Sequence, residues 1–352
     1  MTSNPTSSNH PVDKGWAWVI LAGSSLIFMI YVGTLKTSGL FFVAFQDYYK
    51  SEAFTTSIIP GILQIVYSIA SLPILTVGLD HLSARQMIII GGFLGSIAYF
   101  IGFFADRIEI LIFTHGVLYG IGCATIHGPT AYLIGLYFNR RRELANSVLV
   151  ASSGFGGLVV PPLYRYLLDV YGLRGTMLIF SGVILHVVAL AGLLKPPSLF
   201  HHPSNSNEKS KPEYSNVEIP DTHGQFVTGA TLALCSFYGS FWSFIALAVM
   251  FGLFAGAIFS MTPSIVVDFV GIENFRTAFG ILILGQGITM GTGAPLLGYL
   301  RDVSLSYIPS FYFMGACLIL SGLTLLMEPC VRKRQDKMEV ETRPSEEVAL
   351  ST

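Results

Sequence analysis

An ionisable side chain is costly inside a hydrocarbon layer, so it is the first place to look for chemistry in a chain this apolar: 52% of its 352 residues are hydrophobic and only 12% charged. Lys36 lies far along the first apolar run, with residues 39–45 still apolar beyond it. A mid-bilayer lysine costs about 2.5–3.5 kcal/mol on insertion scales, and one retained there suggests function. A buried cation can bind an anion, or hand it a proton if its pKa is depressed. The competing reading is snorkelling, because roughly twenty residues beyond Trp16 is about 30 Å of helix, near the far hydrocarbon edge. His115 and His127 fall on the fourth apolar run, and His127 precedes a Gly128-Pro129 break that frees backbone carbonyls. His127 reads either as a proton relay or as a histidine hydrogen-bonded to a neighbouring helix. Tyr67, Gln64, Ser260 and Gln286 either line a polar cavity or make separate interhelical hydrogen bonds. Asp80, Arg85, Arg140, Arg141, Arg142, Asp268 and Arg276 all sit where apolar runs end. Ion pairs among them would hold one mouth of a bundle shut and break when it opens. Topogenic charge alone explains the arginines, but not the two aspartates. Trp16 and Trp18 have the amphipathic rings of an interfacial belt, and Arg165 reads as an interfacial side chain.

The elements that must carry these groups follow from hydropathy. A spanning helix needs about 20 mostly apolar residues. Six runs qualify early, at roughly 16–46, 55–79, 86–104, 110–138, 144–168 and 175–195. Residues 196–225 are rich in Pro, Ser, Asn, Lys and His, and read as a linker. Four further runs are expected at about 226–241, 242–269, 277–301 and 307–328, the first being the shortest. The expected organisation is a tail at 1–15, a six-helix bundle at 16–195, a linker at 196–225, a second bundle at 226–329 and a tail at 330–352. Gly91, Gly92, Gly95 and Gly102, with Gly116, Gly120 and Gly122, read as close-packing positions.

With ten spans and the N-terminus in the cytoplasm, the Lys and Arg residues are strongly one-sided. Lys14, Arg85, Arg140–Arg142, Lys195, Arg276 and Arg332–Arg334 lie inside, while Lys50, Arg107, Arg165, Arg174 and Arg301 lie outside or near it. Both termini are therefore expected in the cytoplasm. An internal repeat underlies the two bundles. Residues 145–170 align without gaps on 278–303, placing Pro162, Tyr166 and Asp169 on Pro295, Tyr299 and Asp302. Both copies run in the same direction, and parallel repeats about an axis along the membrane normal are the plan of major facilitator carriers.

Two stretches resemble the signature motifs of the monocarboxylate transporter family within that superfamily. One is Asp13-Lys14-Gly15-Trp16-Ala17-Trp18. The other is Tyr137-Phe138-Asn139-Arg140-Arg141-Arg142-Glu143-Leu144-Ala145-Asn146, followed by Ala151-Ser152-Ser153-Gly154. Lys36 sits where that family often carries a first-helix lysine, and residues 266–271 and 293–302 look like its tenth and eleventh helices. Lys14 replaces a glycine usual in the first motif. No stretch here resembles the seventh and eighth helices, the latter bearing in this family an Asp and an Arg for proton and carboxylate. Losing two spans preserves parity, so every later helix keeps its direction.

The resemblance implies an all-α polytopic membrane protein of the major facilitator fold, with a six-helix N-terminal half and a shortened, about four-helix C-terminal half. It implies secondary active, proton-coupled symport of small monocarboxylates or related organic anions by alternating access. Lys36, His127, Tyr67 and Ser260 are the candidates to meet substrate or proton. Asp13, Trp16 and Trp18 join the charged cluster as motif positions of the cytoplasmic gate. The rival reading is a non-transporting short form that regulates or assembles with a full-length carrier. Expected partners are the solute, a proton and lipid, with a single-span glycoprotein chaperone left open and the plasma membrane favoured over the Golgi. Walker and G-x-S-x-G patterns and metal-ligand clusters are missing from the sequence, so no enzyme, cofactor, metal or nucleic-acid role is expected. The four scattered cysteines read as small packing residues.

Overall fold

The computed structural model describes residues 13–195, 241–306 and 308–325, and every regular element among them is helical. The first apolar run forms two helices, α1 (Trp16–Lys36) and α2 (Ser38–Tyr49). They separate at Thr37, whose N–H and Oγ1 both donate to Gly33 O, at 3.2 and 2.8 Å. Thr37 itself leaves helical geometry, at φ −80° and ψ −2°, a local change that a reading of apolar runs could not register. The next three are α3 (Ala53–His81), α4 (Ala84–Phe103) and α5 (Ile108–Tyr137). Ser83 and Gln86 form a capping box that starts α4. Both α3 and α5 contain a π-helical stretch, at Ile74–Gly78 and Ile112–Leu118.

The fifth and sixth runs form one element, α6 (Arg142–Ala191), folded back at Gly172 with φ 67° and ψ −177°. α7 (Phe241–Ser304) turns in the same way at Gly271, φ 75° and ψ 163°. Glycine alone enters this region of φ and ψ without a Cβ clash. α8 (Ile308–Leu325) follows. The run expected at about 226–241 lies almost wholly outside the described residues, as do residues 196–225 and the tail. Six described segments are long and apolar enough to cross a membrane. Side chains such as Ile69, Phe93, Phe100 and Phe113 present apolar surface on the outside of the bundle. Such an exterior suits lipid, and helices satisfy their own backbone groups there. The chain is a multi-pass, all-α membrane protein.

It divides into two compact units. One combines residues 1–217 with 259–305, and the other 218–258 with 306–352. In the second, the described side chains Trp242, Ile245, Val249, Leu320 and Leu323 are apolar and exposed. The first unit holds the core. α1 lies on α6 so closely that a Cβ on Gly33 would stand 2.9 Å from Gly156 O. An aromatic cluster fills the interior, with Phe41 4.0 Å from Tyr164 and 5.7 Å from Tyr99 between ring centroids. The Asn274–Ser304 part of α7 packs antiparallel on α3. A Cβ on Gly61 would stand 2.9 Å from Gly291 O, and one on Gly287 3.0 Å from Gln64 O. Small residues allow backbones this close, and close packing is the main adhesive between helices in lipid.

Candidate functional site

Along the α3–α7 seam, polar groups occur at three levels. The near end is the end of the bundle where α1 begins. There Asp80, just past the π-helical stretch of α3, accepts from Arg276 Nη1 at 2.7 Å. The same guanidinium lies 5.7 Å from the centroid of the Tyr132 ring on α5. Arg276 thus spans from the later repeat to two helices of the first. Asp80 is about half exposed, so the ion pair is worth about 0–1 kcal/mol. The aromatic contact adds about 0.5–1 kcal/mol. A tie of this strength holds one arrangement without locking it.

At the far end Asp302 Oδ2 accepts from the Phe54 N–H in the first turn of α3, at 3.1 Å, and Arg301 flanks it at 3.0 Å. A carboxylate at a helix N-terminus gains about 0.3–1 kcal/mol from the unpaired amides there. Between these ends His127 Nδ1 and the Tyr67 hydroxyl share a hydrogen bond of 2.5 Å. The rings of Phe28 on α1 and Phe279 on α7 stand 5.5 and 6.1 Å from the imidazole. Pro129 has no N–H and leaves the Thr125 carbonyl without its helical donor one turn earlier. An imidazole and a phenol joined in an apolar surround, with helices of both repeats around them, can bind a small polar solute or pass a proton between them.

Lys36 ends α1. Its stem crosses α6, where a Cβ on Gly157 would stand 2.9 Å from its Cδ. The side chain is exposed, and among the described residues no hydrogen bond or ion pair holds its ammonium group. Gln64 Nε2 reaches Met290 Sδ of the later repeat at 3.9 Å. Arg85 is half-buried, with no ion pair among the described residues. Ser260 and Asp268 fall on the backbone of α7, but their side chains lie outside the described residues.

The motif residues assemble elsewhere at the near end. Asp13 accepts from the backbone N–H groups of Arg140 and Arg141, at 3.0 and 3.1 Å, and its own N–H donates to Tyr137 O. Trp18 meets Phe138 edge-on at 5.5 Å, with the Arg141 guanidinium 6.0 Å from the Trp18 ring. The Lys195 ammonium lies 4.2 Å from the Trp16 ring, and the Tyr137 hydroxyl donates to Lys195 O. Arg142 Nε donates to Phe138 O. The two motifs, more than a hundred residues apart in sequence, thus form one knot within the first half. Arg140 and Arg141 belong to that knot, whereas Asp80 and Arg276 bridge the repeats.

Sequence reasoning missed two bridging groups. Asn146 Nδ2, inside the second motif, donates to Ser264 Oγ at 3.0 Å, buried between α6 and α7. The role of Asp302 was visible only as a repeated aspartate. Neither partner can be read from spacing, because each contact depends on how helices of different repeats are laid side by side.

The fold and seam belong to a membrane transport superfamily. The family model described as Major Facilitator Superfamily matches residues 15–218 and 223–350, and the chain belongs to that family. It is similar to monocarboxylate transporter 13 of Rattus norvegicus, with 26% identity over 388 positions, covering 91% of this chain and 90% of the relative. It is 31% identical over 214 residues to monocarboxylate transporter 12 of Homo sapiens, covering 61% of this chain but only 40% of that protein. Among solved structures, a bacterial homologue of the human drug peptide transporters PepT1 and PepT2 matches with a TM-score of 0.66 at 10% identity, over 90% of this chain and 99% of that one. The human organic anion transporter MFSD10 matches with 0.59 at 12%, over 88% and 98%. These structures share the fold. The relatives are transporters rather than enzymes.

Proposed function

We propose that the chain carries small monocarboxylates or related organic anions together with a proton, by rocking of its two repeats about the α3–α7 seam. The observation that carries this reading is the Asp80–Arg276 tie, an exposed cross-repeat ion pair at one end of the α3–α7 seam, with the Tyr67–His127 pair further along the same seam. The near end is cytoplasmic on the one-sided distribution of Lys and Arg. Lys36 supplies the cation for a carboxylate, and His127 with Tyr67 handles the proton. The names of the similar relatives support the solute class. Uptake of labelled lactate or pyruvate into transport-null cells tests this. Uptake that rises as the external medium is acidified and drops at least tenfold in Lys36→Ala supports it. No pH-stimulated uptake of any monocarboxylate tried counts against it.

A second reading has its own support. The alignment with rat monocarboxylate transporter 13 runs over 388 positions against a chain of 352, so gaps open within this chain. The later half is correspondingly short, and no stretch resembles the helix that carries the carboxylate-binding arginine in the family. On this reading the chain assembles with a complete carrier and alters its flux. Co-expression separates the two, because a regulator changes its partner's uptake and shows none alone.

A further inference from the structure

The internal repeat allows its two halves to be compared position by position. Residues 145–170 on α6 match residues 278–303 on α7, and the later repeat lays one face on α3. On that face Gly287 and Gly291 are buried, and Pro295, Gly298 and Asp302 are partly covered. Their counterparts on α6 are Gly154, Leu158, Pro162, Arg165 and Asp169, and all five are exposed. A Cβ on Gly287 would strike Ser68 of α3, whereas one on Gly154 would meet nothing within 4 Å. The adjoining side is alike in the two repeats. Ile288, Leu296 and Tyr299 are exposed in the later one, and so are Phe155, Leu163 and Tyr166 in the earlier. Large apolar side chains there suit lipid in both.

The bare face of α6 is poorly made for lipid. It carries a glycine, a proline, an arginine and an aspartate, where the outward side of α4 carries Phe93, Ile97 and Phe100. Ionisable groups turned toward lipid are costly unless paired. Nor does the face suit pairing with itself. Two copies of the chain related by a two-fold axis along the membrane normal would bring Arg165 against Arg165 at one depth, like charge on like. The later repeat shows what fits such a face. α3 starts at the far end, sets Gly61 against Gly291 and offers the Phe54 N–H to Asp302. On α6 a leucine replaces Gly291, so a small residue is needed opposite it. An arginine replaces Gly298, whose neighbour on α3 is the Ser57 hydroxyl, an acceptor.

We propose that the exposed face of α6 between Gly154 and Asp169 is a docking surface for a membrane-crossing helix of another protein, one that stands to α6 as α3 stands to α7. That helix starts at the far end. It sets a small residue against Leu158, a hydrogen-bond acceptor against Arg165 and its first unpaired N–H groups against Asp169. Close backbone approach and a carboxylate at a helix N-terminus are the two devices that already hold the α3–α7 seam. Such docking rests on the assembly step of the second reading above and names the face that step uses.

A labelled peptide of residues 53–81 is the probe, because α3 already fits the matching face of α7. The full chain in nanodiscs carries a photo-crosslinking residue in place of Leu158, or in place of Phe93 on the lipid side of α4 as the control. These side chains are 68% and 48% exposed, so replacing either leaves the packing intact. Adduct at the Leu158 position is expected at about ten times the Phe93 level, and a Gly61→Leu peptide is expected to lose most of that excess. Equal adduct at the two positions, an adduct indifferent to Gly61→Leu, or cross-linking of one full chain to another through the Leu158 position without peptide overturns the proposal. No solute enters this readout, so it can fail while a change in a carrier's uptake on co-expression stands, and the reverse.

Discussion

Two aspartates at the near end of the bundle have the same charge and opposite kinds of partner. Asp13 is held by two backbone amides of the loop before α6, and its own N–H is bound by Tyr137 O. Asp80 is held by one flexible guanidinium from the other repeat. Amide donors fixed by a folded loop cannot swing away, so the Asp13 contact lasts as long as that loop does. A side-chain ion pair can open by rotation about a few bonds, and solvent competes for both ends. The first contact can be lost only if its loop unfolds, whereas the second can open while the helices stay folded. The arginine cluster beside Asp13 shares that fastening, with Arg140 and Arg141 giving their backbone and Arg141 its ring contact with Trp18.

Breaking each contact in turn puts the contrast at risk. The largest effect is expected for Asp13→Ala. It removes two charge-assisted hydrogen bonds, each worth about 1.5–3 kcal/mol, and leaves the loop amides without acceptors. Less folded protein and a markedly lower melting temperature in detergent-solubilised samples are the expected outcome. Asp13→Asn should recover part of the loss, since its amide oxygen still accepts.

Asp80→Asn and Arg276→Gln come next, with a different signature. Each should cost no more than about 1 kcal/mol in thermal stability, as exposed ion pairs do. Each should nevertheless raise the labelling rate of a cysteine placed on the α3–α7 seam near this end. The charge-swapped pair Asp80→Arg/Arg276→Asp should bring labelling back toward the wild-type rate. A swapped pair that labels like the single variants would show that mutual attraction is not what ties the ends. Asp302→Asn should do least, about 0.3–1 kcal/mol, because a neutral acceptor keeps the hydrogen bond to Phe54 and loses the interaction of charge with the helix end and a partly exposed ion pair with Arg301.

Much of the architecture was legible in the sequence, because lipid imposes one simple demand on it. Runs of about twenty apolar residues had to become helices, and those at 16–195 did. What escaped was local backbone detail. The first run breaks at Thr37, where one residue leaves helical geometry, and hydropathy does not register a single backbone torsion. The join near 169–174 was expected as a short polar connection. It is a sharp kink at one left-handed glycine, Gly172, between the two helices that make up α6.

The site was legible by residue type but not by pairing. A cross-repeat ion pair involving Asp80 was expected from a carboxylate standing among topogenic cations. That Arg276 would be its partner required the packing of α7 on α3, which close glycine contacts such as Gly61 with Gly291 determine. Lys36 was singled out by the cost of burying charge, and the structure gives its ammonium no partner among the described residues. Asn146 with Ser264 is a short polar contact between two otherwise unremarkable side chains. No periodicity or charge pattern marks such a pair in advance.

The central claim is that the Asp80–Arg276 tie opens and closes while the Asp13 knot stays shut. Spin labels at His81 and Thr277, beside the tie, with distances read by pulsed electron resonance in nanodiscs, measure it directly. The account predicts two populated distances in the wild type, with the longer one gaining in Asp80→Asn while a label pair across the Asp13 knot keeps a single distance. One unchanging distance at His81 and Thr277 in both proteins would contradict it.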